Sequence, residues 1–169
     1  MTAASAIAAR DAPSRRLAAQ AERVAAAARD MADRFAAGGR LYVLGSGLAT
    51  ADAQHVAVEF VHPVIIGKQA LPATALTGGG LDHQIRVLAG PGDIALGLSP
   101  GPDDDVRAGL DAAAGLGLLT VVLADDGAAQ GGDHRLEASS EDPLVVRELQ
   151  VTTYHILWEL VHVFLEGAP

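Results

Sequence analysis

Four segments of this chain are near-continuous apolar runs that end in a glycine-bearing turn, and each run after the first is preceded by a stretch that can form a crossover helix. They are LYVLG from Leu41, ALPATALTGGG from Ala70, IALGLSPGP from Ile94 and LLTVVLADDG from Leu118. Runs without polar alternation are buried on both faces, and a parallel sheet covered by crossover helices provides that burial. A fifth, shorter strand is expected in HRLEA at 134–138. The expected fold is α/β, a three-layer sandwich with a central parallel sheet. Ligands of such sheets bind beyond the carboxyl ends of the strands, so loops 45–50, 77–82 and 99–105 are expected to border one crevice. The stretch 125–133 (DDGAAQGGD) reads as the mobile loop.

The helices follow from spacing. After Pro13 and Ser14, apolar residues recur at Leu17, Ala21, Val24, Ala28, Met31 and Phe35, in alternating steps of four and three, and the pattern stops at Gly38-Gly39. This predicts one helix over 14–37, with a narrow seam that packs along another long helix, either the chain's own last helix or a second subunit's. Acidic residues open a helix near Asp103, and Asp142-Pro143 opens the last one, which runs to Gly167. With no repeat and no linker, the chain reads as a single domain over 1–169: an extension at 1–13, the helix at 14–37 and the sandwich at 40–169.

Composition removes whole classes of function. With no cysteine, the chain has no disulfide, thiolate metal site or cysteine nucleophile, so a metal would need His and carboxylate ligands. The formal charge is −9, and residues 101–169 carry three Lys/Arg against thirteen Asp/Glu, which argues against a nucleic-acid partner. The uncharged run from Ala112 to Ala124 is too short to span a bilayer, and Arg10 and Asp11 interrupt any signal-peptide core. A cytoplasmic protein without membrane contacts is expected.

Ionisable residues stand out against this apolar background. Asp52, His55, Glu59 and His62 fall on one helical stripe, and so do Thr152, His155, Glu159 and His162. Singly, such stripes are ordinary solvated faces; two of them in one alanine-rich chain point to a site. His55 and Glu59, four residues apart, can also ligate one metal if a third ligand comes from elsewhere. Gly45-Ser46-Gly47 is half of a dinucleotide fingerprint and lacks its third glycine.

The stretch LGSGLATADAQHVAVEF resembles the first loop and helix of the sugar isomerase (SIS) domain, in particular the bacterial phosphoheptose isomerases, with their Asp-Ala-x-His and a Glu four residues on. IALGLSPG is similar to the family's strand running into a phosphate loop, and VRELQVTTYHILWELVH to its last helix. The resemblance runs from Ala18 onward. It implies an SIS-type fold whose long N-terminal helix serves assembly, and aldose–ketose isomerisation of a phosphorylated sugar through an enediolate. A homotetramer is expected because the Leu17–Phe35 stripe and the last helix offer more apolar face than one small sheet can cover. In that reading Glu59 moves the proton between carbons and His155 serves the oxygens. His55, Glu59 and His155 would hold zinc. Ser46, Thr50 and Ser99 would grip the anionic end, and Gly47 and Asp52 complete the substrate-binding set. Arg147, whose guanidinium matches the geometry of a phosphate, is expected to take over part of the phosphate binding.

The departures from the family pattern also carry information. Arg147 stands where the family has a Gln ligand, and it brings positive charge that disfavours zinc, so weak or absent zinc is expected. Residues 99–105 read SPGPDDD, where two prolines remove N–H donors and three aspartates repel phosphate. Asp82 is the nearest candidate for a further acidic residue of the family. A non-catalytic SIS module, acting as a sugar-derivative sensor or protein scaffold, is the rival reading: the intact His/Glu/His set favours the enzyme and the altered loops favour the rival.

Overall fold

The four apolar runs and the HRLEA segment each form a strand, and all five strands pair in parallel. The computed structural model describes residues 2–125 and 131–167. Three helices, α1 (Ala3–Ala8), α2 (Asp11–Ala18) and α3 (Ala21–Ala36), precede β1 (Leu41–Leu44). A 3-10 turn at Gly47–Ala49 leads into α4 (Thr50–Val61), followed by β2 (Ala73–Leu76), α5 (Leu81–Leu88) and β3 (Ile94–Ser99). Then come α6 (Asp104–Gly115), β4 (Leu119–Ala124), β5 (His134–Glu137) and α7 (Pro143–Gly167). The sheet order is β2-β1-β3-β4-β5. The order reverses at β1, which lies between β2 and β3, and the crevice of such a sheet opens at the carboxyl ends of the strands flanking that point.

Side-chain alternation along the strands assigns the two helical layers. Leu41, Val43, Leu96, Leu98, Val121 and Leu123 pack on one face with residues of α3, α4 and α7. Tyr42, Leu44, Ala95, Val122 and Ala124 face α5 and α6 on the other. Each fully buried leucine on these faces contributes about 1.5–3 kcal/mol relative to exposure. The expected three-layer sandwich is the observed one, and no helix among the described residues is long and apolar enough to cross a membrane.

The N-terminal region differs from its expected form. The helix predicted over 14–37 is divided into α2 and α3 at Ala19-Gln20. The cause is Gln20, whose amide pairs with the exposed edge of β5: its Nε2 donates to the Glu137 carbonyl at 2.7 Å and its Oε1 accepts the Glu137 N–H at 2.9 Å. This side chain satisfies strand-edge groups that would otherwise be open to another chain. Residues 1–13, expected as an extension, include α1 and the start of α2. Val24, Ala28, Met31 and Phe35 of α3 are buried in the core shared with α7, so the apolar seam is satisfied within the chain. Leu17 of α2 instead packs with Val145, Val146 and Leu149 at the start of α7. The loop expected at 125–133 lies largely outside the described residues.

The turn after β1 depends on close approach. A Cβ at Gly45 would come within 2.7 Å of the Ala49 carbonyl oxygen and 2.8 Å of the Ala53 Cβ, so glycine is what lets α4 start directly above β1. Gly47, at φ +51°, takes the left-handed step that begins the 3-10 turn. Gly45→Ala is therefore expected to destabilise the fold by about 1–3 kcal/mol through overpacking against backbone. Denaturant unfolding of the purified variant measures this as a lower midpoint with an unchanged slope.

Candidate active site

α4 and α7 pack side by side on one face of the sheet, and their contact assembles the ionisable cluster. Val56, Ala57 and Phe60 turn α4 into the core, which leaves His55 and Glu59 facing α7. From α7, Tyr154, Leu157 and Trp158 are buried, and His155 is left at the edge of that contact. Trp158 Nε1 donates to the Glu59 carbonyl at 2.8 Å and fixes the two helices against each other.

Ligand-capable atoms of His55, Glu59 and His155 all lie within 4.8 Å of one another. His55 Nε2 is 3.1 Å from Glu59 Oε1, and the His55 and His155 rings meet edge to face with centroids 5.3 Å apart. The sequence did not single out Tyr154, which lies on the other side of His55 with its hydroxyl 2.9 Å from Nδ1. A carboxylate only accepts, so the nitrogen facing Glu59 carries the hydrogen. His55 Nδ1 therefore accepts from Tyr154, which gives a directional chain from Tyr154 through His55 to Glu59. The phenol is held protonated by burial, with the Asp52 and Glu59 carboxylates adding to the effect, and its pKa is pushed up to about 12.

Arg147 and Asp52 also come together. Arg147 Nε donates to Asp52 Oδ2 at 2.9 Å, and both side chains are largely buried. The hydrogen bond to Asp52, with its charge, raises the Arg147 pKa above its ordinary value, so the guanidinium stays charged. Its charge is balanced locally by Asp52 and does not stand unpaired beside the cluster.

The crevice above β1 and β3 is lined by Ser46, Gly47, Leu48, Pro100, Gly101, Pro102, Asp103 and Pro143, around a cleft of about 320 Å³. Ser46 Oγ donates to Asp103 Oδ2. Asp103 is the N-cap of α6, and its Oδ1 accepts the backbone N–H groups of Asp105 and Val106. Ser99 is fully buried, and its hydroxyl donates to the Gly101 carbonyl at 2.6 Å, so it shapes the loop. Thr50 opens α4 and is half-buried.

The remaining sequence candidates lie elsewhere. His62 is exposed at the end of α4. Asp82 is in the first turn of α5 and outside the cluster. The α7 stripe does not form one face: Thr152 and Glu159 are exposed, whereas His162 is buried with its ring nitrogens 2.8 Å from the Trp158 carbonyl and 3.0 Å from the Gln69 carbonyl. His162 thus ties the segment before β2 to α7. Two residues that matter were missed. Tyr154 was not singled out, although its spacing of seven from Arg147 puts it on the same helix face. Asp103 reads in the sequence as opening a helix and as one of three repelling charges, but not as the partner of Ser46, which it meets only across space.

Residues 7–107 match the SIS domain family. The chain belongs to that family. A phosphoheptose isomerase of Solidesulfovibrio magneticus is 37% identical over 86% of this chain and 80% of its own length. One from Synechocystis is 33% identical over 76% of each chain. The structure of a phosphoheptose isomerase from Francisella tularensis superposes with a TM-score of 0.82 at 21% identity, covering 95% of this chain and 98% of that one, which shows the shared SIS fold.

The Tyr154 environment in this SIS domain predicts an alkaline signature. The phenol's ordinary value is 10 and its folded value about 12, so above pH 10 the unfolded chain releases a proton that the folded chain keeps. Stability is therefore lost as pH rises through that window. Between pH 9 and pH 12 the wild type is expected to lose about 2–3 kcal/mol more than Tyr154→Phe. Urea unfolding at intervals across that range measures the difference.

Proposed function

We propose that this chain is an aldose–ketose isomerase of the phosphoheptose isomerase type, acting on a phosphorylated sugar. The observation that supports it most is the convergence of His55, Glu59 and His155, from two helices distant in sequence, on one point. The names of the relatives point to the same chemistry. Isomerisation moves one proton between adjacent carbons and another between their oxygens. Glu59 takes the proton from the carbon next to the carbonyl, giving an enediolate, and returns it to the neighbouring carbon. His155 supplies the proton that the carbonyl oxygen gains and accepts the one that the other oxygen loses, so the residues end as they began. Tyr154 and His55 hold the Glu59 carboxylate in position. Ser46 and Gly47 line the crevice, Ser99 shapes its loop through the Gly101 carbonyl, Thr50 opens α4, and Asp52 holds the Arg147 guanidinium.

The two imidazoles and one carboxylate fit a divalent cation, with a donor set and an open position of the zinc type. His55, Glu59 and His155 would hold zinc, which when bound would polarise the sugar carbonyl. With Arg147 in place of a fourth ligand, binding is weak. Zinc titration with a competing chelator is expected to give sub-stoichiometric loading of the purified protein, abolished in His55→Ala.

The chain is further proposed to be cytoplasmic and to assemble as a homotetramer. An apolar groove between α2, α3 and α7, lined by Leu17, Val24, Leu149, Ile156 and Leu160, supports the assembly, as does the exposure of Ile156 and Val163. Light scattering at micromolar concentration tests this, and a monomer would refute it.

The catalytic test is Glu59→Gln, which keeps the side-chain shape and removes the base. Turnover is expected to fall by about 10²–10⁴-fold with folding retained, and His155→Asn is expected to fall similarly. The measurement is a coupled assay with sedoheptulose 7-phosphate and related ketose phosphates. Equal rates in wild type and Glu59→Gln would sink the mechanism.

A further inference from the structure

The crevice at the ends of β1 and β3 is built against anions. Of the described residues that line it, three are prolines, which lack an N–H, one is Asp103, and none is cationic. The first N–H groups of α6, which would ordinarily attract an anion, are already taken by the Asp103 carboxylate. The same carboxylate takes the Ser46 hydroxyl hydrogen. Asp105 faces the neighbouring turn, where its Oδ1 accepts the Leu81 N–H at 3.0 Å. A phosphate entering here would meet carboxylate charge and engaged donors, whereas a neutral hydroxyl would find oxygen acceptors.

A cation does lie nearby. Arg147 is one turn along α7 from Pro143, which lines the crevice, a rise of about 6 Å. His155 is two turns beyond Arg147, about 12 Å further along the same axis. Arg147 therefore stands between the crevice and the His/Glu cluster. Asp52 engages its Nε, which fixes the plane of the guanidinium and leaves the two terminal nitrogens without a hydrogen-bond partner among the described residues. That pair is the fork that matches two oxygens of a phosphate.

We infer that Asp103 and Arg147 together set substrate specificity: Asp103 closes the crevice to phosphate, and the Arg147 fork reads the anionic end of the sugar instead. This rests on the sugar-phosphate reading above and adds where the anion binds. Asp52 acts as a positioning residue for the fork, and the hydroxyl-bearing carbons of the sugar span the gap from the His/Glu cluster to Arg147.

The test compares the affinities of sedoheptulose 7-phosphate and unphosphorylated sedoheptulose by titration calorimetry for wild type, Arg147→Gln and Asp103→Ser. Wild type is expected to prefer the phosphorylated sugar, and Arg147→Gln to lower that preference about tenfold or more, as loss of a charged hydrogen-bonded pair does. The double variant Asp52→Asn/Arg147→Gln, which leaves no carboxylate unpartnered, is expected to show the same loss. Asp103→Ser keeps a helix cap, removes the charge, and is expected to bind the phosphorylated sugar several-fold more tightly, with the unphosphorylated one unchanged. An unchanged preference in Arg147→Gln, or weaker phosphate binding in Asp103→Ser, overturns the inference. A wild type that binds both sugars equally overturns the inference alone, whereas one that binds neither overturns the sugar-phosphate reading with it.

Discussion

The contact between α4 and α7 holds the reactive centre together. Neither helix carries the full set of groups, and the three that converge come from positions about a hundred residues apart in the chain. The contact is made by ordinary packing, with Val56, Ala57 and Phe60 of one helix and Tyr154, Leu157 and Trp158 of the other in the same core. Burying those side chains leaves His55, Glu59 and His155 at the rim of the contact, where they meet each other and remain reachable. The bond from Trp158 to the Glu59 carbonyl adds direction to the packing, because an indole N–H taken from water needs an acceptor.

Charge around this centre is arranged in pairs. Arg147 is neutralised by Asp52, and Asp103 is stabilised by the first N–H groups of α6 and by Ser46. Each arrangement lowers the cost of holding an ion away from bulk water, and each also leaves a particular residue to meet a ligand. On Arg147 this is the terminal fork. At the crevice it is carboxylate oxygen. The two neighbouring sites therefore differ in sign, and an anionic group is favoured at Arg147 over the crevice.

Much of the architecture was legible before any coordinates. The apolar runs at 41–44, 94–99 and 119–124 have no alternation, and only a strand covered on both faces accommodates them. The spacing of His55 and Glu59 put them on one helical face, and the glycines at 45 and 47 marked the turn that starts that helix. Gln20 was not legible. Its neighbours continue the helical pattern on both sides, and the helix breaks only because β5 presents its backbone edge at that point. Likewise, His155, Glu159 and His162 looked like one stripe, yet His162 is turned into the core by carbonyl oxygens from two different segments.

By itself the sequence determined the parallel sheet, its five strands, the helices that cross over it and the residue types available for chemistry, because periodicity and turn residues are local properties. Tertiary structure alone decided which of those residues meet. That Tyr154 donates to His55, that Asp52 pairs with Arg147 and that Asp103 binds Ser46 depend on how segments distant in the chain come to rest around the sheet. Hydrogen bonds reach only about 3 Å, and spacing along the chain says nothing about approach across space at that scale.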